Sequence, residues 1–208
     1  ASVRNTEMLQ SFVRLTEFAQ ERAVRAILIA GDLFDGARVR ARTVDALLAA
    51  IRRTPEVDYL YLPGNHDEAA NAFCDCALPE NLKVFGKKWT TYRYDGIVIS
   101  GAQLGLDAAF YEALPHTDGA VNLVMLHGGI GTACGEDMIN LNLLKNRGID
   151  YLALGHIHSY QTGPLDETGS YCYPGCLEGR GFDECGEKGF VLLTVEDGSV
   201  AHEFVPFS

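Results

Sequence analysis

The chain has 208 residues, of which 47% are hydrophobic and 22% charged, a composition that is ordinary for a globular protein. It contains no apolar run near the ~20 residues of a membrane-spanning helix and its first ten residues are polar, so we expect one cytoplasmic domain over residues 1–208. The net charge of −11 argues against a bare nucleic-acid-binding domain, which is normally basic, but not against an enzyme whose metal ions supply positive charge.

The cysteines show no C-x-x-C spacing, and this favours free thiols in a reducing compartment. A soft-metal site built from Cys172, Cys176 and Cys185 is the less favoured alternative, because thiolate sites usually show tighter paired spacing. The other cysteines are Cys74, Cys76 and Cys134.

The first half of the chain predicts a helix, a strand, a helix and a strand. Apolar residues recur with helical spacing over residues 4–22, and the run AILIA (26–30) is typical of a strand buried on both faces. A second helix is expected to end near Arg53, ahead of Pro55, and to lead into the strand DYLYL (58–62). This order predicts a right-handed parallel crossover.

The second half predicts more strands than helices. Asp95-Gly96 and Asp197-Gly198 are typical of two-residue hairpin turns. We expect antiparallel strands over 82–100, strands at 122–126, 150–154 and 170–173, a hairpin of 190–195 with 199–205, short helices over 68–76 and 108–114, and a longer helix over 138–146 that Gly148 caps.

Polar side chains with metal-binding chemistry follow four of the apolar strands. We expect them at one edge of one sheet, because ligands of α/β sheets bind at the carboxyl ends of the strands. Carboxylate, amide and imidazole together suit Mn²⁺, Fe or Zn²⁺. Two such ions about 3.5–4 Å apart can clamp a phosphoester during in-line displacement. These residues are Asp32, Asn65, His127, His156 and His158.

The motifs GDLFD (31–35), GNHDE (64–68), HGG (127–129) and GHIH (155–158) resemble those of the calcineurin-like metallophosphoesterases. Within that superfamily, residues 150–161 and the stretch YPGCLEGRGFDECGEKGF (173–190) look like the SbcD-type DNA repair exonucleases. The resemblance implies an α/β fold, a βαβ sandwich of two mixed sheets flanked by helices.

The resemblance also implies the role of each motif residue. Asp32 would bridge two metal ions, Asn65, His127 and His156 would complete the second site, and His158 would belong to the first. His66 would act on the scissile phosphate and the leaving oxygen, and Asp67 would orient His66.

Two further residues are weaker candidates for substrate contact. Asp35 is the last residue of the first motif and either contacts the substrate or only shapes the loop, and Arg180 lies in the charged stretch that follows the last motif. A solvated loop is the favoured reading of that stretch.

The activity implied by the resemblance is hydrolysis of phosphodiester bonds by a metal-bound hydroxide. Two divalent ions, manganese first and iron or zinc as alternatives, would be the cofactors. DNA would be the substrate and an SbcC-like ATPase the partner, and a homodimer is compatible with the family. The alternatives are a phosphatase or phosphodiesterase for small phosphoesters, favoured by the acidic charge, and a catalytically impaired metal-binding relative.

Two departures from the family pattern carry expectations of their own. The family opens with a strand that bears Asp-x-His, and no Asp-x-His occurs here, so we expect that the N-terminal strand is missing and that the first metal site is incomplete. SbcD-type nucleases usually continue into a capping domain and an ATPase-docking segment, whereas this chain stops after its closing hairpin, so we expect no capping domain within residues 1–208; either those parts were cut away or the protein lacks them.

Overall fold

The computed structural model describes residues 2–31, 33, 41–64, 73, 76–178 and 186–207, with side chains from residue 6 onward. The helices in this part of the chain are α1 (Ser2–Glu21), α2 (Ala41–Arg52) and α3 (Ala108–Glu112). None of these helices is long and apolar enough to span a bilayer.

The strands alternate with these helices and then dominate the second half of the chain. They are β1 (Ala26–Ala30), β2 (Asp58–Leu62), β3 (Leu82–Val84), β4 (Thr90–Tyr94), β5 (Ile97–Gly101), β6 (Val121–His127), β7 (Gly129–Gly131), β8 (Met138–Asn140), β9 (Tyr151–Gly155), β10 (Gln161–Pro164), β11 (Ser170–Tyr173), β12 (Gly189–Glu196) and β13 (Ser199–Pro206).

Two sheets organise the fold. The described strands of the first are parallel and ordered β1-β2-β3, and the second is mixed and ordered β10-β11-β9-β6-β5-β4. In the second sheet β5, β6, β9 and β11 run parallel, while β4 and β10 are antiparallel edge strands. β12 pairs with β13 in a hairpin, and β7 with β8 in a short ladder.

The two sheets pack face to face. Leu60 and Leu62 of β2 share one buried cluster with Met125 of β6 and Tyr151 of β9. Because successive residues of a strand point to opposite faces, Tyr59 and Tyr61 face the other way and join the cluster formed by α1 and α2. The first sheet is therefore buried on both faces.

The second sheet is covered on its outer face by irregular chain. Leu126 and Leu154 pack there with Tyr111 of α3 and with Ile139 and Leu144. The result is a four-layer arrangement of helices, sheet, sheet and loops, and it confirms the predicted α/β sandwich.

Most of the predicted elements are confirmed. The first two helices, the four apolar strands, α3 and both hairpins lie where the sequence indicates them. Of the described cysteines, Cys134 and Cys172 are free thiols, as expected. The helix predicted over 68–76 lies largely outside the described residues.

Three predictions are wrong. Residues 138–146 form β8 and a 3₁₀ turn (Leu141–Leu143) rather than a helix. The side-chain oxygen of Asn140 accepts a hydrogen bond from the backbone amide of Asn142, and this local bond favours a turn. Residues 82–84 pair parallel to β2 instead of antiparallel within 82–100. The four apolar strands belong to two sheets, not one.

Candidate metal centre

The carboxyl ends of β1, β6 and β9 meet where the two sheets face each other. His127 and Gly155 are the last residues of β6 and β9, and they are partners in the ladder between these strands. Ala30, the last residue of β1, comes from the other sheet and reaches the His127 ring. The site therefore draws on both layers of the sandwich.

His127 is buried and its ring is fixed by a backbone contact. The side chain is only 5% exposed, and its Nδ1 lies 2.9 Å from the carbonyl oxygen of Ala30. Since a carbonyl can only accept, Nδ1 carries the proton and donates, and in the neutral ring the Nε2 lone pair is then available. Histidines that bind a metal usually donate their other ring N–H to a carbonyl or carboxylate, and His127 meets that requirement.

His156 stands beside His127 in a strained backbone conformation. The ring centroids are 5.4 Å apart at an interplanar angle of 84°. The φ of His156 is +105°, a region that costs a side-chain-bearing residue about 1–3 kcal/mol. Such strain clusters at functional sites, and metal–nitrogen bonds of about 2 Å would let two rings at this separation share one ion.

Glycines permit this close approach. A Cβ on Gly155 would lie 1.6 Å from the Ala30 carbonyl oxygen, and one on Gly31 would lie 2.1 Å from Nδ1 of His127. Gly31 also has φ +82°, which favours glycine. The strand ends can converge only because both positions lack a side chain.

His158 lies two residues beyond His156 in the same loop and is partly buried. Its carbonyl accepts a hydrogen bond from the ammonium of Lys188 at 3.4 Å. Beside this contact lies an open cavity of about 220 Å³, lined by Ser159, Tyr160, Gly186, Glu187, Lys188 and Phe204.

Tyr173, which the sequence predicts only as part of a strand, also contacts the site. The hydroxyl of Tyr173 donates to the carbonyl of Gly128 at 2.7 Å in a buried position. Burial raises the pKa of Tyr173 to about 12, so the hydroxyl stays protonated at neutral pH. No spacing rule singles out this residue, because the contact depends on how β11 packs.

The remaining predicted site residues lie outside the described part of the chain, and their roles stay predictions. They are Asp32, Asp35, Asn65, His66, Asp67 and Arg180. The described residues alone contain no group of three or more His, Cys, Asp or Glu side chains that could hold a metal. Of the predicted ligands, the structure describes His127, His156 and His158, and the adjacent imidazoles of His127 and His156 have the chemistry that a borderline divalent ion prefers.

Comparison with known proteins identifies the family. The family model for calcineurin-like phosphoesterases matches residues 6–160. The metallophosphoesterase YhaO of Bacillus subtilis (strain 168) is 30% identical over an alignment 196 positions long that covers 86% of this chain and 47% of YhaO. The DNA double-strand break repair protein Mre11 of Methanopyrus kandleri is 27% identical over an alignment 238 positions long that covers 97% of this chain and 52% of that protein.

A solved structure agrees at the level of the fold. A Staphylococcus aureus protein described as a 5′-nucleotidase, in complex with alpha-ketoglutarate, superposes with a TM-score of 0.55 at 12% identity. The alignment covers 95% of this chain and 48% of that protein. The chain thus spans about half the length of the relatives it matches. The matched segment contains every described residue of the candidate centre except Tyr173 and Lys188, and the chain belongs to the calcineurin-like phosphoesterases.

Proposed function

We propose that this chain is the phosphoesterase domain of a binuclear, metal-dependent phosphodiesterase, and that it is a DNA repair nuclease of the SbcD type. The observation that carries the metal proposal is the contact between His127 Nδ1 and the Ala30 carbonyl. It fixes the tautomer and leaves Nε2 available beside a second imidazole, that of His156.

In this proposal the residues that follow the strand ends have distinct roles. Asp32, Asn65, His127 and His156 hold the second ion, while Asp32 and His158 contribute to the first. Bound divalent ions would polarise the phosphoester and lower the pKa of a water molecule. His66 stabilises the leaving oxygen or gives it a proton, and Asp67 orients His66.

The choice of DNA as substrate is supported by the likeness to Mre11, which extends over 97% of this chain. A partner ATPase and a homodimer are proposed on the same family likeness. The alternative is a small phosphoester as substrate, and one observation favours it: the net charge of −11 would repel a nucleic acid backbone wherever metal ions do not offset it.

Metal loading tests the site. After manganese loading, elemental analysis should find one ion per chain, because the first site lacks an Asp-x-His strand in this sequence. His127→Asn should lose that ion, whereas His116→Asn, at an exposed histidine that pairs with Asp118, should keep it. Equal binding by both variants would contradict the assignment of His127.

A comparison of substrates tests the reaction. Linear duplex DNA and bis(p-nitrophenyl) phosphate are each incubated with the manganese-loaded chain and with His127→Asn. Cleavage of DNA that the variant loses supports the nuclease, and cleavage of the small diester alone supports the alternative. If a chain completed with an Asp-x-His strand is inert on both, the protein is an impaired metal-binding relative and not an enzyme.

A further inference from the structure

A short segment at the end of β11 touches both histidine-bearing loops, and this segment is Tyr173-Pro174-Gly175. At one end of it the hydroxyl of Tyr173 donates to the Gly128 carbonyl, in the residue directly after His127. Tyr173 is 2% exposed and Gly128 is buried, so water does not compete for this hydrogen bond.

The other end of the segment lies against the loop that follows β9. Gly175 has φ +80°, and a Cβ there would lie 3.2 Å from the backbone of Ser159 and Tyr160 and 3.3 Å from the carbonyl oxygen of His158. The backbone of the turn therefore packs directly on the backbone of residues 158–160. Pro174 lies between the two contacts and fixes its own φ, which removes one rotational freedom from the segment.

The loop that carries Gly128 is also held by backbone hydrogen bonds and by the short ladder between β7 and β8. The amide of Gly128 donates to the Gly155 carbonyl at 3.2 Å, and the amide of Gly129 donates to the Asp137 carbonyl at 2.8 Å. Gly128 has φ +155°, so its own conformation restrains the loop little. The Tyr173 hydroxyl adds a side-chain contact to the buried carbonyl of Gly128.

We propose that Tyr173 is a positioning residue of the metal centre: through the Gly128 carbonyl it fixes the loop behind His127, while Gly175 fixes the loop behind His156 and His158. One rigid segment then sets the separation of the two imidazoles. The inference rests on the proposed function for its metal readout, but not for its structural readout.

Tyr173→Phe removes one oxygen and keeps the ring that packs in the core. Tyr59→Phe is the matched control, because Tyr59 is equally buried and its hydroxyl bonds to Thr54 Oγ1 at 2.6 Å, in the cluster formed with the helices. Both variants lose a buried hydroxyl that is hydrogen-bonded in the wild type, and only Tyr173→Phe loses it at the histidine loops.

Manganese titration and amide hydrogen exchange are measured on the full chain for wild type and both variants. Tyr173→Phe should weaken Mn²⁺ binding about 10–100-fold, as outer contacts of metal ligands do, and Tyr59→Phe should leave it unchanged. Exchange across residues 127–131 should be faster in Tyr173→Phe alone. In the wild type these amides should exchange as slowly as those of β6, which checks the rigid loop without any substitution.

The proposal is overturned if Tyr173→Phe binds Mn²⁺ like wild type and residues 127–131 exchange at the wild-type rate. A wild-type chain that binds no Mn²⁺ would instead overturn the proposed function, and hydrogen exchange would still decide the role of Tyr173. If Tyr173→Phe does not fold, fast exchange of residues 127–131 in the wild type overturns the proposal and slow exchange supports it.

Discussion

Gly155 occupies a position where no side chain fits, because a Cβ would lie 1.6 Å from the Ala30 carbonyl oxygen. Gly155→Ala must push β9 away from β1, so we expect a loss of about 3 kcal/mol or more in the free energy of unfolding. Urea denaturation measures this loss. Gly86→Ala is the control, since a Cβ on Gly86 meets nothing within 4 Å, and it should be close to neutral. Equal losses in the two variants would show that the strand ends are not in contact.

Asp166 makes the stability of the chain depend on pH. Burial acts to raise the pKa of its carboxyl, but hydrogen bonds from the amides of Asn146, Gly169 and Thr168 outweigh burial and lower it. A lowered folded-state pKa contributes stability above the unfolded value of about 3.9, and this contribution is lost as the pH falls through the folded-state value.

Asp166→Asn should therefore have a lower Tm than wild type at pH 6, and the difference should shrink as the pH falls below about 4. Thermal melts at pH values between 2 and 6 measure this. Asp95→Asn, in an exposed hairpin turn, serves as the control and should follow the wild-type curve. A constant difference between Asp166→Asn and wild type at all these pH values would contradict the assignment.

At the scale of the elements, the side chain of Asn81, which lies outside α2, holds the end of that helix. The side-chain amide of Asn81 donates to the carbonyls of Ile51, Thr54 and Val57, at 3.0, 3.0 and 2.9 Å. These carbonyls lie at the end of the helix and in the turn into β2, where backbone acceptors lack helical partners. Asn81 thereby joins α2 to the start of the first sheet.

Asn81→Ala should lower the free energy of unfolding by about 1–3 kcal/mol, because buried acceptors are left unpaired. Asn81→Asp should lower it further, since a carboxylate placed against carbonyl oxygens is repelled. Asn142→Ala, at an exposed asparagine, is the control. Urea midpoints for the three variants measure the order, and an Asp variant as stable as wild type would contradict it.

Most of the helices and strands could be predicted because the spacing of apolar residues indicates which faces of an element are buried. The runs that form β1, β2, β6 and β9 are short and mostly apolar, and short apolar runs of this length favour buried strands over helices. The stretch 138–146 was mispredicted because its apolar spacing fits a helix, while Asn140 bonds to the backbone locally. Local hydrogen bonding of this kind leaves little trace in hydrophobic periodicity.

The candidate centre was predictable only in part. The positions of His127 and His156 at strand ends follow from where apolar runs stop. The division of the strands between two sheets could not be predicted in this way, because β2 is apolar on both faces. Leu60 points toward one layer and Tyr61 toward another. The contacts of His127 with Ala30 and of Tyr173 with Gly128 arise from that packing.

At the scale of the whole molecule, metal binding should stabilise the sandwich. The proposed ligands come from both sheets, so an ion would link the two layers. A free ion concentration 100-fold above its Kd adds about 2.7 kcal/mol, which for a chain of this size raises Tm by roughly 5–10 °C. Differential scanning calorimetry with and without Mn²⁺ measures the shift.

The same calorimetry on His127→Asn provides the contrast. This variant should show no manganese-dependent rise, whereas His202→Asn, in the terminal hairpin, should show the wild-type rise. Chelator should reverse the rise in wild type. A rise of equal size in His127→Asn would mean that the ion binds elsewhere.

The hydrogen bond between Ala30 and His127 joins residues that are 97 positions apart. Contacts of such long range form only after the entropy of closing a large loop has been overcome, so they arise late in folding. We therefore expect the centre to form late in folding. A bound ion would slow the unfolding of the folded protein and leave its folding rate almost unchanged. The ion would therefore lengthen the lifetime of the folded state.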